Sequence, residues 1–251
     1  GPLAVARYQP EGDVAVASHV AVTFSGPFAP LASNAALDAR DVPARLEPQP
    51  AGRWRWVGTR TLVFEPEGGR MPYATEYRGD VPAGAEAADG RSLAEGASWT
   101  FRTPAPRVVG TWPRDEAEAV ELRPVVVLAF DQPVDAAAVL PFVAVEAGGR
   151  ARAVRLATAD EVAADPEAAR FAPRHDEDAI VALIPEADLP GDAAVTVTVA
   201  EGVPAVEGPR LGEATHRFGF ATYGPMEIVE HDCARPDRDG LQWLRAVPRT
   251  P

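Results

Sequence analysis

Val22-Thr23-Phe24-Ser25-Gly26-Pro27 returns 106 positions later as Leu128-Ala129-Phe130-Asp131-Gln132-Pro133. Two more stretches return in the same order, each 119 positions on. Leu62-Val63-Phe64-Glu65-Pro66 becomes Val181-Ala182-Leu183-Ile184-Pro185, and Phe101-Arg102-Thr103 becomes Phe220-Ala221-Thr222. Three anchors with one length change between them describe two copies of a module of roughly 100 to 120 residues. That period is too long for a solenoid repeat.

The composition says what kind of module this is. The chain has 251 residues, 46% of them hydrophobic, which leaves room for two closed cores and excludes a disordered chain. Twenty-six prolines and 21 glycines are spread throughout, so many short segments are joined by turns. The apolar runs are short and β-branched, and none reaches the roughly 18 residues of a membrane span. The fold expected is all-β: two tandem immunoglobulin-like β-sandwich domains at 8–104 and 107–223, the second with a short helical insertion. A net charge of −13 would repel a phosphate backbone, so nucleic acid is not an expected partner. Cys233 is the one cysteine, which excludes an internal disulfide. The start Gly1-Pro2-Leu3 reads as a trimmed terminus.

Along the first module, Val14, Val16, Val20, Val22 and Phe24 carry the period-2 pattern of half-buried strands, and Gly26-Pro27 stops it. Leu31 to Asp41 is Ala-rich and is expected to form a helical turn. Arg53-Trp54-Arg55-Trp56-Val57 and Thr61-Leu62-Val63-Phe64 flank Gly58-Thr59-Arg60 as a hairpin. Trp54 and Trp56 share one face and are expected between the sheets; a sugar-stacking platform is the alternative. Tyr73 to Pro82 is another strand, and in Ser98 to Thr103 the side chains of Trp99 and Phe101 point inward. Pro104-Ala105-Pro106 stiffens the exit.

In the second module Val125 to Phe130 is a continuous apolar strand, and Asp135 caps a one-turn helix. The strand at Phe142, Val143 and Val145 turns at Gly148-Gly149. Thr158 followed by Glu161 is a capping box, so Thr158 to Phe171 is expected to be a short surface helix. Ala179 to Ile184, Val195 to Val199 and His216 to Thr222 are strands. Pro225-Met226-Glu227-Ile228-Val229 lines up with Pro106-Arg107-Val108-Val109, so 224–251 is expected to be the truncated start of a following module or a disordered tail.

No catalytic, cofactor-binding or metal-ligating residue is assigned. His19 and His216 flank strands without a ligand at metal spacing. His231-Asp232-Cys233 lacks a fourth ligand, and adjacent residues of an extended chain point apart. Asp237-Arg238-Asp239-Gly240 opens like a calcium loop, yet Ala246 stands where the bidentate carboxylate belongs. His175-Asp176-Glu177-Asp178 reads as a solvated turn. Gly-x-Ser-x-Gly, His-Glu-x-x-His and glycine-rich phosphate loops do not occur. The expectation is therefore a non-catalytic protein without a cofactor.

The stretch Arg53 to Gly68, with Tyr73-Ala74-Thr75-Glu76-Tyr77 and Trp99 to Pro104, resembles the N-terminal region of bacterial alpha-2-macroglobulin-like proteins. Phe130 to Asp135, Leu156 to Pro166 and Phe220 to Pro225 carry the same resemblance in the second copy. Each module by itself is also similar to the bacterial Ig-like domain of envelope and surface proteins. The resemblance implies a periplasmic or envelope protease trap, with this chain as a spacer or docking arm. Its partners would be the remainder of a longer polypeptide and, through that polypeptide, target proteases; no direct membrane insertion is implied. The family's thioester pattern is Cys-x-Glu-Gln, whereas Cys233 is followed by Ala234-Arg235-Pro236, so no functional residue carries over. An adhesin or S-layer-like binding array is the alternative function, and an accessory β region of a glycan-active enzyme is a third.

Overall fold

Side chains that alternate along a strand let two sheets close on one interior, and both halves of the chain are built this way. The computed structural model describes residues 2–30 and 42–224. They divide into two compact units. One is formed within Gly1–Ala105 together with Ala205–Leu211, the other from Pro106–Pro204 and the residues from Gly212 on. The expected helical turn at Leu31 to Asp41 and the expected tail from Pro225 lie outside the described residues.

The strands of the first unit are β1 (Val5–Gln9), β2 (Gly12–Asp13), β3 (Val20–Phe24), β4 (Arg45–Glu47), β5 (Gly52–Val57), β6 (Thr61–Pro66), β7 (Glu76–Val81) and β8 (Ala97–Arg102). One sheet runs β1-β3-β6-β5 and the other β2-β8-β7-β4. The β5–β6 hairpin pairs Val57 with Thr61, and Gly58 turns it with φ of +65°. Trp54, Trp56, Phe24, Leu62, Phe64, Tyr77, Trp99 and Phe101 fill the interior. Trp99 lies across its strand partner Gly79, where a Cβ would meet the indole at 2.2 Å. Two readings of this half need correction. Val14 and Val16 are not in a strand, and Val16 is 59% exposed, because residues 14–19 carry the chain from β2 in one sheet to β3 in the other. The strand β1 was not read, since it is a half-exposed edge strand without clear alternation.

The second unit contains β9 (Val108–Trp112), β10 (Ala117–Val120), β11 (Val126–Phe130), α1 (Ala136–Val139), β12 (Val143–Ala147), β13 (Arg150–Arg152), β14 (Val154–Leu156), α2 (Ala159–Ala164), α3 (Pro166–Phe171), β15 (Ile180–Pro185), β16 (Ala194–Val199) and β17 (His216–Thr222). Its sheets run β9-β11-β15-β14 and β10-β17-β16-β12-β13. Apart from the added β13, this is the order of the first unit, strand for strand. Both the β2–β8 and the β10–β17 pairings are parallel. Val126, Leu128, Val181, Leu183, Val195, Val197 and Phe220 are among the residues of the main core. The chain is thus all-β, two immunoglobulin-like sandwiches with a helical insertion in the second.

The insertion is two helices rather than one. Asp165 ends α2 and caps α3, its carboxylate accepting from the N–H groups of Glu167 and Ala168. The capping box at Thr158 and Glu161 is formed in both directions, at 3.2 and 2.9 Å. These helices also do more than decorate the surface. Ala168 is fully buried against Val125, Val127 and Ile184, in a second small core on the outer side of the β14-β15-β11-β9 sheet. That sheet is covered on both faces, which explains why β11 is apolar without alternation.

Candidate functional site

A short corner just before β7 is densely hydrogen-bonded. Pro72 to Thr75 turns there with Ala74 at φ of +53°. The Thr103 hydroxyl donates to the Pro72 carbonyl at 2.8 Å and accepts from the Thr75 N–H at 3.1 Å. The second unit repeats the device. Thr222 donates to Pro190 at 2.7 Å and accepts from Ala193 N–H at 3.0 Å, beside Asp192 at φ of +52°. Met71 and Leu189, both buried, start the two corners with N–H bonds of 2.7 Å to Ala17 and Leu122.

Among the described residues the first corner carries a further layer of chain. Segment Ala205–Leu211, which belongs to this unit, lies on it. Arg70 grips Glu207 with two parallel hydrogen bonds of 2.7 and 2.8 Å, and the Tyr73 N–H donates to the same carboxylate at 2.8 Å. The guanidinium carbon sits 3.6 Å from the centroid of the Tyr73 ring. Arg210 donates its N–H to the Ala74 carbonyl at 2.8 Å and its guanidinium to the Thr103 carbonyl. Between these anchors Gly208 is pressed against the corner; a Cβ there would come within 2.2 Å of Thr75 Oγ1 and 2.5 Å of the Tyr73 and Ala74 carbonyl oxygens. The Arg70 guanidinium holds the Glu207 carboxyl below the ordinary carboxylate range, against the opposing effect of burial and with help from the Tyr73 N–H. Arg70 is raised in turn, chiefly by Glu207. The pair is fully charged at neutral pH, so its chemistry is recognition rather than proton transfer.

Residues singled out in the sequence are scattered by comparison. Trp54 and Trp56 are buried in the core, 1% and 6% exposed, so their faces are not open to a sugar. Interior packing wins because the interleaved Arg53 and Arg55 take the solvent side of β5 and pair with Glu65. His19 is 3.1 Å from Ser18 Oγ and 3.4 Å from Gln9 Nε2. His175 leans on the Phe171 ring at 4.9 Å, and His216 lies 6.0 Å from Phe218. Among the described residues no group of three or more His, Cys, Asp or Glu side chains comes together to hold a metal ion. His231-Asp232-Cys233 and Asp237 to Gly240 lie outside them. The Arg70–Glu207 pair was not foreseen. Its members are 137 positions apart, and a Glu-Gly-Pro-Arg run reads as an ordinary turn until its seat is known.

With the fold in hand, comparison with known proteins places the second sandwich. Residues 102–222 match the family model described as a bacterial Ig-like domain. No curated protein matches the chain. Similar solved structures include L,D-transpeptidase 3 from Mycobacterium tuberculosis, 19% identical with a TM-score of 0.27 over 53% of this chain and 48% of that one. Another L,D-transpeptidase from the same organism is 19% identical, with a TM-score of 0.27 over 62% and 60%. The chain thus spans less than two thirds of these transpeptidases. Native alpha-2-macroglobulin from Escherichia coli, spanning domains MG0-NIE-MG1, is 12% identical with a TM-score of 0.28 over 93% and 74%. Scores of this size carry no argument about what the chain does. Among the described residues no helix is long and apolar enough to cross a membrane.

Proposed function

We propose that the chain is a non-catalytic arm of two duplicated Ig-like modules in a bacterial alpha-2-macroglobulin-type protease inhibitor of the periplasm or cell envelope. It spaces and docks the trapping parts of a longer polypeptide, and meets target proteases only through that polypeptide. The observation that supports this reading most is the shared pairing order of the two sandwiches, each closed around its own core, across the residues that carry the macroglobulin resemblance. Filled interiors leave such modules with surfaces and edges to offer, which suits bracing and docking.

The test compares the 251-residue chain with the full-length polypeptide as inhibitors of endoproteases acting on a large protein substrate. The full-length protein is expected to slow digestion, and the chain alone is expected to have no effect. Inhibition by the chain alone would end the spacer reading. A full-length protein that traps no protease but adheres to a protein or glycan surface would replace it with the adhesin.

A further inference from the structure

We propose that the Arg70–Thr75 corner, closed by Thr103, is a peptide-recognition seat, filled in cis by Ala205–Leu211. It selects an extended segment with a carboxylate, then glycine, then an arginine two positions further on, which here is Glu207-Gly208-Pro209-Arg210.

Three observations support a seat over an accident of folding. The second unit builds the same pinned corner without the gripping residues. At the equivalent corner of the second unit Asp188 and Gly191 stand where the first has Arg70 and Tyr73, and that corner is still pinned by its threonine. The hold is also polar rather than greasy. Val206 and Leu211, the large apolar side chains of the segment, are 60% and 52% exposed, so they add little hydrophobic attachment. The contacts that hold it include a bidentate carboxylate grip, three hydrogen bonds to or from the corner's backbone and the close fit of a glycine. Directional contacts of that kind discriminate by sequence and come apart without exposing a core. Each position is read separately: Arg70 and Tyr73 N–H read the carboxylate, the Tyr73 and Ala74 carbonyls admit only glycine, and the Thr103 carbonyl reads the arginine. The inference does not depend on the protease-trap reading.

Amide hydrogen exchange on the whole chain tests it, following the N–H groups of Tyr73 and Arg210, which bond across the seat. Both should be protected in the unaltered chain. Gly208→Ala should speed both at least about tenfold while β3, β6, β16 and β17 keep their protection. Glu207→Gln, which adds no bulk, should speed Tyr73 most. A synthetic peptide of residues 203–212 should then restore slow exchange at Tyr73 in the Gly208→Ala chain, and the same peptide with Gln in place of Glu should not. Fast exchange at both amides in the unaltered chain would overturn the proposal. So would indifference to both substitutions, or an emptied seat that ignores the peptide or takes the two peptides equally.

Discussion

The outer faces of two equivalent strand pairs make an instructive contrast. In the first unit β3 and β6 meet outside through Thr23 and Thr61, whose hydroxyls are 3.1 Å apart. In the second, the equivalent pair is Ala129 and Ile180, and Ile180 packs with Val127, Ala182 and Ile184 under the helical layer of α2 and α3. Polar residues at this pair can stay on the water side of the sheet, whereas the apolar one is covered by another layer. The interiors differ as well. Trp54, Trp56, Trp99 and Tyr77 dominate the first, whereas valines and leucines line most of the second. One topology has been stabilised in two ways.

The largest expected effect concerns the aromatic interior. Trp54→Ala should cost the first unit about 3–5 kcal/mol, read by denaturant titration with unit-resolved hydrogen exchange. Protection in β11 and β15 should not change. A loss spread evenly over both units, or a loss under about 1 kcal/mol, would break the contrast between separately filled cores.

Next come the threonine pins. Thr103→Val and Thr222→Val each take the hydroxyl partner from a part-buried carbonyl and from a buried or part-buried N–H, so each should cost its own unit about 1–3 kcal/mol. Similar losses would confirm that the corners are one device used twice. A loss at Thr222 alone would show that Ala205–Leu211 holds the first corner without its pin.

The smallest effect belongs to the helical layer. The Arg155 guanidinium, with the Thr158 N–H, pulls the Glu161 carboxyl from the ordinary value of 4.5 down to about 2. A carboxylate depressed in the folded state stabilises at full strength above its unfolded value and loses that contribution as pH falls toward the folded one. Acid titration from pH 5 to 2 should therefore loosen α2 before the sheets, seen as faster exchange of the Glu161 and Val162 amides. Glu161→Gln should remove the pH dependence. Loss of protection only with global unfolding would sink this prediction.

How much of this was legible beforehand varies with the distance over which each signal acts. The tryptophan pair, the β5–β6 hairpin, the Asp135 cap and the Thr158–Glu161 box were readable because each is written in neighbouring residues. The anchors, too, fell on equivalent pairings: β3 with β6, and β11 with β15. The edge strands β1, β9 and β10 escaped, since an edge presents one half-exposed side and has little alternation to read. The seat escaped altogether, because nothing near Glu207 names Arg70.

Local pattern alone thus determined that this chain builds sandwiches, where most inner strands run, and which side chains turn inward, because alternation, caps and turn residues act over a few positions. Tertiary structure decided what touches between residues far apart in the chain: that the inserted helices roof a sheet, that equivalent threonines pin equivalent corners, and that one corner holds a Glu-Gly-Pro-Arg segment 137 positions away. Those outcomes depend on shape and charge meeting in space.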